Sequence, residues 1–322
     1  MKKIVFEILN DMAEELSVMQ LKKLQGVLLR RLQEPEEQKE PAHNDEYLEM
    51  FINAKKIEGC SLRTLNYYRS SVRHMLSMIK TPVRKITTEQ LREYLAAYQQ
   101  INNCGKSTVD NIRRNISSFF SWLEEEDHIL KSPMRRIHKI KTKTKVKETI
   151  SDEDIERLRD HCEEIRDLAI IDLLYSTGIR VGELVNLDIN DINFEERECI
   201  VYGKGEKERR VYFDAKAKLH LQEYIASRTD SNPALFVTLD SPYDRLKISG
   251  VEIRLRSLGR KLNLTKIHPH KFRRTMATRA IDKGMPIEQV QKLLGHSQID
   301  TTMQYAIVNQ NNVKNSHQKY IA

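Results

Sequence analysis

The sequence predicts a mainly α-helical protein with one small antiparallel β-sheet, built as an all-helical domain followed by a mixed α+β domain. Three observations lead there. Apolar residues recur at three- and four-residue spacing along most of the chain. The period changes to two only around CIVYGKGEKERRVYF, residues 199–213. A strongly basic segment, residues 131–149, separates the two halves. At about 150 residues per domain, a chain of 322 residues accommodates two domains with real hydrophobic cores.

Residues 4–32 place Leu16, Met19, Leu24, Val27, Leu28 and Leu32 at mixed helical spacings without a proline, which reads as one or two helices. QEPEEQKEPAH, residues 33–43, then combines two prolines with many charges, so residues 1–40 form a helical extension ending in an exposed linker. The apolar spacing suggests that this extension packs on a neighbouring protomer or on the chain's own helical domain.

Residues 41–130 read as the helical domain. Leu65, Tyr68, Val72, Met75, Leu76 and Ile79 form one helical stripe that stops before Pro82. Thr87 with Gln90 makes a capping box that opens a helix through Leu91, Tyr94, Leu95 and Tyr98. A third helix follows Gly105, with Val109, Ile112, Ile116, Phe119, Phe120 and Leu123 on one face, and Ser132 and Pro133 close it.

Residues 150–322 form the mixed domain. The acid-rich turn after Ser151 is a good helix start, and a second helix through Leu168, Ile171 and Leu174 ends near Gly178. Residues 199–213 read as two strands joined by a Gly-Lys-Gly turn. Helix returns after Pro242, with Gly284 suited to a C-terminal cap and Pro286 to a first turn.

The net charge of +8 is local: residues 131–149 carry eight basic side chains and one acidic one. Lysine alternates there with Ile, Thr or Val, which favours an extended strap for an acidic polymer over a general polyanion coat. No stretch is apolar enough to span a membrane. The N-terminal apolar run is interrupted by acids and lacks a cleavage site, so a cytoplasmic protein is expected. Cys60, Cys104, Cys162 and Cys199 lie far apart, which suggests reduced, mostly buried thiols and neither a zinc ribbon nor a disulfide framework. With no P-loop and no metal-ligand cluster, neither cofactor nor metal is expected.

Taken singly, the polar residues of the second half are ordinary. A salt bridge to Glu183 would explain Arg180, Lys204 would be a solvated turn residue, and His270 and Arg273 three apart would share a helix face. His296 would be a capping or core histidine, and Tyr305 a packing residue. Together they match what metal-free cleavage of a phosphodiester requires. Two guanidiniums neutralise the charge that grows on non-bridging oxygens. A hydroxyl of pKa about 10 needs a nearby base to attack, and the leaving oxygen needs a proton donor.

In these residues the chain resembles the tyrosine recombinases of the phage-integrase family. The resemblance is carried by TGIRVGEL around Arg180, GKGEKERRV around Lys204, HPHKFRRTMAT with His270 and Arg273, LLGHS ending on His296, and Tyr305 nine residues further on. SLRTLNYYRSSVRHML and STVDNIRRNISSFFSWL are similar to the family's helical core-binding domain, so the likeness runs from about residue 44 to 322. No catalytic position departs from the family pattern. The front does, because many integrases of mobile elements carry a strand-rich arm-binding module where residues 1–40 read as helix.

The resemblance implies that Tyr305 attacks the scissile phosphate, leaving a 3′-phosphotyrosyl link and a free 5′ hydroxyl, so that joining needs neither ATP nor metal. It implies that Arg180 and Arg273 clamp the phosphate, Lys204 protonates the leaving oxygen, His270 acts as base and His296 orients the phosphate. It further implies a C-shaped clamp on duplex DNA, with the basic segment (Lys139, Lys141, Lys143, Lys145) crossing the duplex. Thr64, Asn66, Arg69 and Arg113 are candidate groove readers, and Lys207 and Arg209 candidate phosphate contacts. The tail, residues 306–322, is expected to dock on an adjacent protomer in a ring of four. The reading is a site-specific DNA recombinase integrating or excising a mobile element. A Xer-type resolvase or invertase, a type IB topoisomerase and a DNA-binding regulator without cleavage remain open beside it.

Overall fold

The computed structural model describes residues 8–13, 15–33, 43–141, 148–203, 208–264 and 266–305. Lys204, Lys207, Lys143, Lys145, most of the 33–43 linker and the tail after Tyr305 lie outside the described residues. The chain divides into two compact units, Met1–Lys145 and Val146–Ala322. Among the described residues no helix is long and apolar enough to cross a membrane.

The first unit is helical: α1 (Val18–Gln33), α2 (Asn44–Ile57), α3 (Leu62–Met78), α4 (Thr88–Ile101) and α5 (Lys106–Glu125). Its core gathers Leu48, Phe51, Val72, Met75, Leu91, Ile116, Phe119, Phe120 and Leu123, with Trp122 at its side. Side-chain caps set the helix starts, since Ser61 accepts from the Thr64 N–H and Thr87 forms the expected box with Gln90. Asn44 pins the start of α2 to the α3–α4 connection through Thr81 O (3.1 Å) and Val83 N (2.8 Å).

Two expectations change here. α5 stops at Glu125 rather than near Ser132. Asp127 adopts the left-handed φ of 58° that a short polar residue tolerates, and the His128 and Asp127 amides fold back onto Leu123 O and Glu124 O in a Schellman turn. The basic segment also starts later than expected, because its first residues belong to the helical unit. Pro133–Arg136 forms a 3₁₀ turn with Met134 in the core, and the Ile140 N–H donates to Asp110 Oδ1 at 3.0 Å. Lys139 and Lys141 remain exposed and outside regular structure.

The second unit runs α6 (Asp152–Asp160), α7 (Ile165–Thr177), α8 (Val181–Asn186), strands β1 (Ile192–Asn193), β2 (Glu198–Tyr202) and β3 (Glu208–Tyr212), then α9 (Ala215–Ser227), α10 (Ile248–Lys261), α11 (Pro269–Asp282), α12 (Ile287–Leu294) and α13 (Asp300–Met303). α7 buries Ile170, Ile171, Leu173 and Leu174, apolar around most of its circumference, and is therefore the central helix, packed against α9 and α11. Asp172 on its polar side accepts Arg159 of α6 at 2.6 Å and contacts His220 of α9. The sheet is antiparallel in the order β1-β2-β3, with Cys199 opposite Val211 and Val201 opposite Arg209. β1 was not expected, because two residues carry no readable period. Of the cysteines only Cys199 is fully buried; the other three are half-buried, and all four thiols are free.

A third, smaller cluster of Met276, Ala277, Val290, Leu294 and Tyr305 joins α11, α12 and the turn after α13. It is the packing that carries the site.

Truncating a fully buried ring costs about 3–5 kcal/mol, so Phe119→Ala should lower the urea midpoint of the transition reported by the fluorescence of Trp122, the single tryptophan, which packs in the same cluster. An unchanged midpoint would show that the ring does not hold this core together.

Candidate active site

The site is assembled where four chain segments meet at the C-terminal end of α12. α7 ends at Gly178 with φ 63°, a left-handed conformation that glycine adopts without the strain a side chain would bring. The turn aims Gly178 O at Arg273, whose Nη1 donates to it at 2.7 Å. Two residues later Arg180 is the N-cap of α8, and Glu183 at the third helical position accepts its backbone N–H at 2.7 Å.

α12 ends on Gly295 at φ 62°, with the His296 amide bonded to Gln291 O and the Gly295 amide to Lys292 O, another Schellman turn. That turn leaves later carbonyls for other donors, and three arginines supply them. Arg209 Nε donates to Leu293 O (3.0 Å), Arg273 Nη2 to Leu294 O (2.6 Å) and Arg180 Nη2 to Gly295 O (3.2 Å). Cations at the negative end of a helix are also favoured by its dipole.

Glu183 ties the arginines together. One oxygen accepts Arg180 Nη1 at 2.8 Å, and both accept the guanidinium of Arg209 at 2.7 Å. Burial opposes ionisation of Glu183, but the hydrogen bonds from Arg209 and from the Arg180 amide outweigh it and hold its pKa below the ordinary value.

Arg273 is almost fully buried. Burial first, and the neighbouring Arg180 next, lower its pKa to about 10, so it stays cationic at neutral pH. Arg273 Nη2 lies 3.0 Å from His296 Nε2. Because a guanidinium only donates, Nε2 must accept. Nδ1 then carries the proton and donates to Thr302 Oγ1 at 2.8 Å. Burial, followed by Arg273 and Arg180, lowers the His296 pKa to about 4, which agrees with the neutral tautomer that the geometry demands. The His296 and Tyr305 rings lie 6.0 Å apart between centroids.

The structure therefore brings together Arg180, Arg273, His296 and Tyr305 from distant parts of the sequence. His270 sits in the first turn of α11, one turn before Arg273, and is exposed. Arg274 beside them is buried, and its Nε has no hydrogen-bond partner among the described residues. No group of three or more His, Cys, Asp or Glu side chains among the described residues is arranged to hold a metal ion.

Several expected DNA contacts read differently in the fold. Arg209, expected beside phosphate, has its guanidinium committed to Glu183 and Leu293 O, with the side chain only 12% exposed. Arg113 is likewise held inside the fold, its Nε on Asp110 at 2.8 Å. Arg69 pairs with Glu49 at 2.6 Å. Thr64 is half-buried near the Ser61 cap, and Asn66 is exposed. Glu183 was legible as a partner of Arg180 from its three-residue spacing. Thr302 gave no signal, because it meets His296 only through the turn before α13.

Comparison with known proteins follows the same lines. Residues 148–312 match the phage integrase family, and residues 47–129 match the SAM-like N-terminal domain of phage integrases. The tyrosine recombinase XerC of Leptospira interrogans is 31% identical over 288 residues, 85% of this chain and 93% of that protein. The tyrosine recombinase XerA of Pyrococcus horikoshii is 28% identical over 286 residues, 88% and 96%. Among solved structures, the Tn1549 transposon integrase in complex with transposon right end DNA superposes with a TM-score of 0.73 at 19% identity, covering 86% of this chain and 99% of that one. The XerH recombinase bound to its palindromic difH substrate gives 0.68 at 19% identity, covering 98% and 94%.

A histidine whose folded pKa lies near 4, below its ordinary 6.5, contributes stability that is complete above pH 6.5 and is lost as pH falls toward 4. Urea midpoints at pH 7 and pH 4.5 should thus fall less in His296→Gln than in the unsubstituted protein. An equal fall would remove His296 from the acid response.

Proposed function

This chain belongs to the phage integrase family, and from that membership we propose how its own residues perform recombination. It is a site-specific tyrosine recombinase, an enzyme that cleaves and religates DNA. The observation that carries the assignment of residues is the convergence of Arg180, Arg273, His296 and Tyr305 on the end of α12.

In this reading Arg180 and Arg273 grip the non-bridging oxygens of the scissile phosphate and neutralise charge in the pentavalent transition state. Tyr305 Oη attacks phosphorus, the P–O5′ bond breaks, and a 3′-phosphotyrosyl bond forms. His270 takes the phenolic proton, and Lys204 gives one to the 5′ oxygen. The bond energy stays in the phosphotyrosine, so attack by a 5′ hydroxyl reverses the step and joins the strand. His296, neutral and accepting from Arg273, holds that guanidinium in place. A phosphate anion arriving beside the ring favours protonation and turns Nε2 into a donor to the phosphate.

The remaining parts follow. Lys139 and Lys141, with Lys143 and Lys145, form the basic strap that contacts the phosphates of the duplex. Asn66 and Thr64 on the first turns of α3 are groove candidates. Four protomers assemble on paired sites with the tails after Tyr305 exchanged between them. Integration and excision of a mobile element is the outcome we propose first. Resolution of the Xer type is the second, favoured by the 28–31% identity to XerC and XerA over most of the chain. Recombination on a plasmid carrying two candidate sites from DNA flanking the gene separates them: insertion into an unlinked target supports the first, deletion confined to directly repeated sites the second.

On a nicked site the protein should form a covalent adduct at the 3′ phosphate that survives denaturing electrophoresis, and Tyr305→Phe should bind the same DNA without forming it. An adduct in Tyr305→Phe assigns the nucleophile elsewhere. Replacing the four strap lysines by glutamine should flatten the slope of log affinity against log salt by about 3 to 4 units, at about 0.9 per phosphate contact. An unchanged slope shows that the strap does not touch DNA.

A further inference from the structure

Arg209 stands on β3 and takes no part in the cleavage step proposed above. Nη1 and Nη2 donate to the two oxygens of Glu183, each at 2.7 Å, and Nε donates to Leu293 O at 3.0 Å. Glu183 is only 3% exposed and also holds the Arg180 amide and Arg180 Nη1. The Arg180 side chain itself is 42% exposed.

We propose that Arg209 is a positioning residue for strand cleavage: by gripping Glu183 and the last turn of α12 together, it fixes the guanidinium of Arg180 beside Arg273 and His296. The inference rests on the reading of Arg180 and Arg273 as the phosphate clamp.

The placement of Arg180 depends on Glu183. A long side chain so exposed samples several rotamers, and a solvent-facing ion pair is worth at most about 1 kcal/mol, too little to select one. Arg180 is therefore only as well placed as the carboxylate that receives it. Left alone, a carboxylate this buried would protonate or turn toward water. Two parallel bonds from Arg209 keep it ionised and in a single orientation, a bidentate geometry that lysine does not reproduce. The third bond, to Leu293 O, locks the same guanidinium to the helix whose next two carbonyls receive Arg273 and Arg180.

The contact is built into the backbone as well. A Cβ on Gly295 would stand 3.0 Å from Arg209 Cδ, so the left-handed glycine that ends α12 also makes room for this side chain. With all three nitrogens engaged inside the fold, Arg209 acts on the phosphate through Arg180.

The test compares a nicked site with an ordinary scissile phosphate and one with a methylphosphonate, in which methyl replaces a non-bridging oxygen and leaves the clamp less charge to neutralise. A misplaced clamp costs about 100-fold. Arg209→Ala should lose about that factor in adduct formation on phosphate, keep DNA affinity within about twofold, and lose less than about fivefold on methylphosphonate, as Arg180→Ala should in parallel. Arg209→Lys, which keeps the charge but not the paired bonds, should fall between, at about 10-fold on phosphate; it carries the comparison if Arg209→Ala does not fold. If Arg180→Ala is not relieved by methylphosphonate, the clamp reading fails. If Arg180→Ala is relieved while the Arg209 variants lose equally on both substrates, or on neither, the positioning role is overturned.

Discussion

Much of the second unit's chemistry depends on one buried carboxylate. Glu183 receives the Arg180 amide, the Arg180 side chain and both arms of Arg209. A carboxylate buried this far is tolerable only when its lone pairs are filled, and here charged donors fill most of them. In return it holds two cations close to a third, Arg273, which like-charge repulsion would otherwise drive apart. The α12 terminus supplies the rest of the compensation, because three successive carbonyls at its negative end each accept one of these arginines. A local excess of positive charge is thus held in place by one acid and one helix end.

The same crowding sets the protonation states. Arg273 loses affinity for its proton through burial and through Arg180, yet remains charged. His296 cannot afford a second cation beside it and stays neutral, so its ring accepts from Arg273 and donates to Thr302. Tyr305 is brought to the histidine by packing with Met276, Ala277, Val290 and Leu294. Hydrophobic burial places the candidate nucleophile, and electrostatics arranges what faces it.

Some of this was readable in advance. The helices of the first unit follow their apolar spacing, and the Thr87–Gln90 box starts α4 where the residue types place it. Where the reading failed, the cause was local. Asp127 takes a left-handed turn that glycine more often signals, so α5 ends early. β1 is too short to show a period, and the start of the basic segment folds onto the first unit because Met134 and Ile140 are apolar enough to be drawn in.

The class of fold, the strand pair, the local charge excess and the residue types suited to phosphodiester chemistry are all legible in the chain before it folds. These are properties of spacing and composition, carried by each segment alone. Which arginine is buried and which reaches solvent emerges from contacts in the fold. Arg180 and Arg209 look alike in sequence, each an arginine near a glycine-rich turn. In the fold one presents its guanidinium toward solvent while the other is buried under Glu183 and the end of α12. Exposure and partner depend on contacts between residues far apart in the chain, and no local pattern encodes them.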